Sequence, residues 1–417
     1  MKKLLYLTIL LLCFGCKECQ QKPTTNSPSK ISNAPHVPNQ IILDAQDLGS
    51  NYAVVKQFLD SNGFKKIDSC NCSNSIELWK SDQDVNVIGK ISDASSSGAG
   101  VMNGQAWRLT PNFVLTPPVV SRQDTPRQDF RKPTQASTGS KIKIAIIDTG
   151  IDSTNVYING LLWRRTTPAS CATEGVLGLN ASNPTKPEPL DLQGHGTHLN
   201  GIIGGMPFNS GTQGNTTFEL LNVKFTTDGT GTGDLFKAIC GMYYALDRGV
   251  QVMNLSWGYA GGEAPELINS FLKTAKSKNV VIVAGAGNFN SNNDSLKFWP
   301  ASFSEKYDFV LSVGAYDANV SPLKLYNMTN FGGTVSVFAP GVNVPSAFLG
   351  NSTVATSSGT SMAAAYVTRV AAILKVALGL TPAQVKAFII ANSPPQMIDG
   401  KPVRFFKADD VLNAGSI

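Results

Sequence analysis

Histidine is scarce in this sequence, with three among 417 residues. An imidazole base or metal ligand therefore has few possible addresses. Charge is thin as well, with 15% of residues charged against 42% hydrophobic. That balance excludes a charge-laced helical rod and a disordered polyelectrolyte, and the 38 glycines point to many tight turns. The formal net charge is +6. The excess sits in two polar stretches, one with Lys2, Lys3, Lys17, Lys22 and Lys30, the other with Arg122, Arg127, Arg131 and Lys132. No basic patch is interleaved with aromatics, which speaks against a nucleic-acid partner.

Beyond the start of the chain, no apolar stretch reads as long enough to cross a bilayer. The start itself differs. Lys2-Lys3 precede an apolar run over residues 4–14, and Gly15-Cys16 follow. A positive start and a short apolar core mark an export signal over residues 1–15. The cysteine after Phe14-Gly15 resembles the lipobox of bacterial lipoproteins. That resemblance implies cleavage before Cys16, lipidation of its thiol and a membrane partner through the anchor. The lipobox usually has leucine where Cys13 stands and a small residue where Phe14 stands. The alternative is an ordinary cleaved signal and a secreted product.

The remaining cysteines are ambiguous. Cys13, Cys16 and Cys19 have no histidine nearby to complete a zinc site. Cys70 and Cys72 stand in Cys-Asn-Cys, too close to bridge each other without strain, and Cys171 and Cys240 are far apart. Export permits disulfides, but the pairing is not readable. Cys240 falls on a helical stretch and reads as an inert core thiol.

Residues 16–39, rich in Ser, Pro, Asn, Gln and Lys, form a flexible tether. A small α+β unit follows over residues 40–105. It has strands at 40–43, 64–67, 76–79 and 85–88, and a helix over 52–59 ended by Gly63. Residues 106–140 read as a linker and the start of a mature region; the polar part from 117 to 140 is a natural place for proteolysis. From 141 to 417 the pattern alternates. Strands are expected at 142–147, 250–255, 280–283 and 310–313. Helices are expected after His195, over 234–248 and 265–278, from Ser361 onward, and over 382–390 with Thr381 as cap. The fold class is α/β: a mostly parallel central sheet with helices on both faces, preceded by the α+β unit. Sites in such sheets favour the carboxyl ends of strands, and Asp148 occupies one.

Three segments carry chemistry: Ile146-Ile147-Asp148-Thr149-Gly150, Gly194-His195-Gly196-Thr197-His198 and Gly359-Thr360-Ser361-Met362-Ala363. A serine nucleophile needs a base, and the base needs a carboxylate to hold its tautomer. Each residue alone has a plainer reading: a turn aspartate, a structural histidine, a helix cap. Asp-Thr-Gly also occurs in aspartic proteases, but no second copy exists here. His198 suggests a metal, yet no third ligand is identifiable. An α/β-hydrolase esterase expects the order Ser, acid, His and a glycine where Ala363 stands. Gly359 and the small residues after Ser361 let a carbonyl approach the hydroxyl, and a helix N-terminus favours developing negative charge.

In the order Asp, His, Ser, these segments resemble the subtilisin-like serine proteases (subtilases, peptidase S8) over about residues 141–378. The resemblance implies an exported serine endopeptidase acting on polypeptides. Asp148 would orient His195, His195 would take the proton of Ser361, and Ser361 would form the acyl-enzyme. In Val283-Ala284-Gly285-Ala286-Gly287-Asn288, it implies that the Asn288 amide and the Ser361 backbone N–H form the oxyanion hole. Asn254-Leu255-Ser256-Trp257-Gly258 resembles the strand lining the P1 pocket, and residues 228–233 resemble the opposite edge of the groove. Substrate contacts are then expected from Ser256, Trp257, Gly258, Ala284, Gly285, Ala286, Gly287 and Gly231. With Phe289 beside Asn288 and no acid at the wall, a large apolar P1 residue is expected. The resemblance also casts the α+β unit as a prosegment, an intramolecular inhibitor; the alternative is a retained accessory domain. No cofactor is implied. Structural calcium is common in the family, but no acidic cluster marks a site. A catalytically quiet binding protein stays open as a function, against which the intact Asp148, His195, Ser361 and Asn288 stand. Two departures lie beside the catalytic set: Leu199-Asn200-Gly201, usually Val-Ala-Gly, and Ala365-Tyr366, usually proline and histidine.

Overall fold

The computed structural model describes residues 34–417 except 47, 71, 73–75, 88, 92–100, 103–104, 107–108, 118–122, 125–140, 207–216, 228–229, 263, 399 and 416–417. The signal segment 1–15, Cys16 and the tether up to residue 33 lie outside the described residues. The first strand, β1 (His36–Asp44), starts inside the expected tether. After it come α1 (Tyr52–Ser61), β2 (Phe64–Ser69), β3 (Ile76–Ser81) and β4 (Leu109–Leu115). Strand β4 pairs antiparallel with β1, so the α+β unit reaches residue 115 rather than 105. Pro111 hid it: proline cannot donate to a ladder and argues against a strand. Of residues 85–88, expected as a strand, 85–87 lead into a short helical turn instead, and 88 lies outside the described residues. Asn86 Oδ1 accepts the Gly89 N–H at 3.0 Å, an asparagine cap.

The small sheet has two covered faces. Ile41, Leu43, Trp79 and Leu109 pack with Val55 and Leu59 of α1. The other face, with Ile42, Ile76, Leu78, Phe113 and Leu115, joins the core of the larger domain.

That domain contains β5 (Lys141–Asp148), β6 (Gly178–Asn180), α2 (His195–Gly204), β7 (Thr217–Lys224), β8 (Gly233–Asp234) and α3 (Leu235–Asp247). It continues with β9 (Val252–Leu255), α4 (Glu266–Ser277), β10 (Val281–Gly285), β11 (Val310–Asp317), β12 (Lys324–Leu325) and β13 (Val337–Pro340). Strands β14 (Val344–Ala347) and β15 (Val354–Ser357) and helices α5 (Thr360–Ala377) and α6 (Pro382–Ala391) follow. The central sheet runs β12-β11-β10-β9-β5-β7-β6, with β13 also on β11; every pairing is parallel except β11 with β12.

Alternation along the strands sorts the core. Ile142, Ile144 and Ile146 of β5 face α2 and α5, while Ala145 and Ile147 face α3 and α4. Helix α5 alone, among the described residues, is long and apolar enough to cross a membrane, contrary to the expectation of no such stretch. It is the buried central helix of the sheet's second face, with residues such as Met362, Ala365 and Val370 fully enclosed.

The α+β unit is joined to the larger domain in three ways. Strand β8 is the edge of the small sheet, pairing Gly233 with Leu115 and Asp234 with Val114. Asn112 Oδ1 accepts the Phe236 N–H at 3.0 Å, satisfying a donor in the first turn of α3. Two disulfides, Cys70–Cys240 and Cys72–Cys171, cross between the units, each with Cα atoms 5.2 Å apart. Cys240 is therefore a cross-link rather than a core thiol. It lies on the side of α3 that meets the small sheet, a fact no local pattern encodes.

Candidate active site

Asp148 ends β5, so the parallel sheet delivers its carboxylate at the carboxyl edge. It is fully buried. Its Oδ1 accepts the Thr149 N–H at 2.8 Å and lies 2.7 Å from His195 Nδ1. A carboxylate only accepts, so Nδ1 carries the proton and Nε2 is the basic nitrogen. His195 Nε2 has no hydrogen-bond partner among the described residues.

The loop before α2 fixes the ring. Asp191 Oδ1 accepts the N–H groups of Gln193 and Gly194, and its Oδ2 accepts the N–H and hydroxyl of Thr197. Gln193 Oε1 accepts the His195 N–H at 2.8 Å, and Thr149 Oγ1 accepts the Gly196 N–H at 2.8 Å. The three donors that open α2 are thus satisfied by side chains. Gly196 is required: a Cβ there would lie 2.3 Å from Gly150 O. Asp191 and Gln193 escaped the sequence reading. Their signal was an acid and an amide in the turn before a helix start.

Ser361 is the second residue of α5. Its Oγ donates to Ser256 O at 3.2 Å, and Ser256 Oγ donates to Ser361 O at 3.3 Å. Asn254 supports this clasp, donating to Ser256 Oγ at 2.8 Å and accepting from Thr368 Oγ1 at 2.9 Å. The Ser361 hydroxyl thus rests on a carbonyl rather than on His195. Resting sites often form that last bond only with substrate in place. Asn288 Oδ1 accepts the Thr360 N–H at 2.9 Å. A backbone N–H only donates, so the amide oxygen faces it and Nδ2 is the free donor end. Thr360, which the sequence did not single out, also accepts the Gly287 N–H at 3.2 Å.

A cavity of about 360 Å³ brings Ser361 and Asn288 together with Ser256, Trp257, Gly258, Gly285 and Gly287. Phe289, Phe298, Thr360, Thr116 and Pro117 complete its lining, with no charged side chain among them. A Cβ on Gly258 would come within 2.5 Å of the Phe298 ring, so that ring stands where the pocket would deepen. Ala284 and Ala286 do not line the cavity; both are fully buried in the core behind it. Gly231 packs beside Gln193, where a Cβ would lie 3.2 Å from Gln193 Cγ.

His198 is a structural tie. Its Nε2 donates to Val344 O on β14 and Ala355 O on β15, both at 3.1 Å. Burial pushes its pKa down to about 3, so it is neutral at ordinary pH. Among the described residues no group of three His, Cys, Asp or Glu side chains is placed to hold a metal ion. The departure at Asn200 builds a buried brace, donating to Gly196 O at 2.8 Å and Asn222 Oδ1 at 2.7 Å.

Known proteins align with this geometry. Residues 139–408 match the Subtilase family, Peptidase S8. The chain is 35% identical over 245 residues to a thermophilic serine proteinase of a Bacillus species, covering 58% of this chain and 53% of that one. It is 31% identical over 239 residues to subtilisin Savinase of Lederbergia lenta, covering 57% of this chain and 77% of that one. The chain spans about half the length of several curated relatives it matches, 55% for one and 53% for another. Among solved structures it is similar to fervidolysin from Fervidobacterium pennivorans, a keratinolytic enzyme related to subtilisin. The TM-score is 0.68 at 19% identity, over 92% of this chain and 62% of that one. A likeness of that extent includes fold from the α+β unit as well as the sheet domain. On the family match and the identity to Savinase, the chain belongs to the subtilase family.

Proposed function

We propose that this protein is an exported serine endopeptidase, anchored through Cys16 or secreted. The observation that carries the catalytic reading is the buried 2.7 Å contact between Asp148 Oδ1 and His195 Nδ1. Ser361 Oγ attacks the scissile carbonyl carbon while His195 Nε2 takes its proton, and Asp148 stabilises the imidazolium. The C–N bond breaks as the proton passes to the leaving amine; water then cleaves the acyl-enzyme by the same route. The oxyanion is received by Asn288 Nδ2 and the Ser361 N–H. Losing one such donor costs about 2.7–4 kcal/mol in the barrier. Asn288→Ala is expected to lower kcat at least about a hundredfold with a smaller change in KM; unchanged turnover would remove Asn288 from the role.

The uncharged, aromatic lining of the cavity supports cleavage after apolar residues. With Phe298 across the pocket, the branched aliphatic members of the expected large apolar class fit better than tryptophan. A peptide panel read by mass spectrometry tests this, and cleavage mainly after Lys or Arg would sink it.

The α+β unit is read as a prosegment. Its last strand lies antiparallel on β8, as an extended substrate would, and continues into Thr116 and Pro117 at the cavity. The deciding experiment compares wild type with Ser361→Ala for labelling by a serine-directed phosphonate and casein digestion, each with and without dithiothreitol, and for the N-terminal sequence. Labelling, digestion and a new terminus in the linker, all lost in the variant, support the full reading. A wild type that is neither labelled nor able to digest casein, with or without dithiothreitol, points to the quiet binding protein instead.

A further inference from the structure

We infer that cutting the linker yields a two-chain, disulfide-linked molecule whose groove stays occupied until a dithiol reductant opens both bridges. This rests on the prosegment reading of the α+β unit. Neither Cys70 nor Cys72 lies in the linker, and both bridge to residues of the larger domain. No cut after Pro117 severs them.

The two bridges converge on one helix. Cys240 sits on α3 itself. Cys171 sits in a loop bound to the same helix: buried Glu174 accepts from Tyr244 Oη at 2.9 Å and Arg248 Nε at 2.8 Å. At its other end the unit reaches the site, where Thr116 and Pro117 line the cavity beside Ser361. One end is thus stapled and the other obstructs.

Tethering decides what happens after cleavage. A freed inhibitor strand is lost by dilution. A stapled one faces its site at an effective concentration on the order of millimolar, far above that of enzyme in an assay. Either bridge alone preserves this, so both must open. Each opening consumes one dithiol: two electrons and two protons pass to the protein, giving two cysteine thiols, and the reductant leaves as a disulfide. Cys72, Cys171 and Cys240 are half-buried and Cys70 is buried, so each bridge presents at least one half-buried sulfur to the dithiol.

The test uses full-length protein after linker cleavage, verified by N-terminal sequencing. It compares gel mobility with and without dithiothreitol, and peptide hydrolysis under both conditions. The variants are C72S with C171S, C70S with C240S, and all four together. We expect one band without reductant and two with it, and at least a tenfold rise in rate on reduction. Each double variant stays latent without reductant. The fourfold variant is active without it and indifferent to it, with rates referred to sites counted by phosphonate labelling. Separation of the two chains without reductant, an equal or lower rate after reduction of wild type, or a latent fourfold variant overturns the staple alone. An uncut linker in an active wild type overturns the prosegment reading itself.

Discussion

Ser361→Ala should lower turnover by roughly a millionfold, a figure carried over from removal of the nucleophile in subtilisin. The physical reason is local. Ser361 Oγ is held at a helix N-terminus by its bond to Ser256 O, and no other hydroxyl among the described residues has the same setting. Thr360 is adjacent, but its Oγ1 is occupied by the Gly287 N–H. The variant should fold, because the clasp through Ser256 Oγ uses the Ser361 carbonyl rather than its hydroxyl. A residual rate well above that of water is expected from binding and the oxyanion donors. The measurement is kcat on a peptide substrate alongside a thermal melt. A variant that melts like wild type and retains more than about a thousandth of its rate would contradict the nucleophile assignment.

Asp148→Ala should cost about ten-thousandfold in kcat, again on the scale known for the carboxylate in subtilisin. Here the structure adds a distinction. Asp148 Oδ1 accepts the Thr149 N–H as well as facing His195 Nδ1. In Asp148→Asn that N–H selects the amide oxygen, so Nδ1–H keeps an acceptor and the basic nitrogen stays Nε2. The asparagine variant loses the negative charge opposite the imidazolium and places an amide NH2 where buried Oδ2 has no hydrogen-bond partner among the described residues. It should therefore be more active than the alanine variant. Equal losses in the two variants would show that Thr149 does not govern the amide's orientation.

The sheet domain was legible because its signals are local. Runs such as Val281-Ile282-Val283 are apolar enough to require burial on both faces, and the three motifs sit where strands end or helices begin. Asp148 and His195 stood out through glycine-flanked settings that the geometry explains, Gly196 leaving room for Gly150 O. What stayed hidden was non-local. Strand β4 carries Pro111, and its partners lie in β1 and in β8, more than a hundred residues on. The disulfides join residues 170 and 99 positions apart, beyond any periodicity. Ala284 and Ala286 lie within the expected pocket segment, but both are fully buried, Ala284 in the main core and Ala286, just past the end of β10, in a smaller cluster. Phe298 and Thr360 shape the cavity through tertiary approach, and neither belongs to a motif with a spacing of its own.

The bond from the Phe236 N–H to Asn112 Oδ1 has a thermodynamic consequence. A helix of the peptidase domain borrows its first acceptor from another folding unit, so the two stabilities are linked. Whatever the unit gains by docking, α3 gains in firmness at the end where β8 runs into it, and the coupling is reciprocal. A substitution that firms this helix end in the free domain leaves the unit less to contribute, and so loosens its grip. The hold of the unit and the stiffness of the groove's rim are two readings of one free energy.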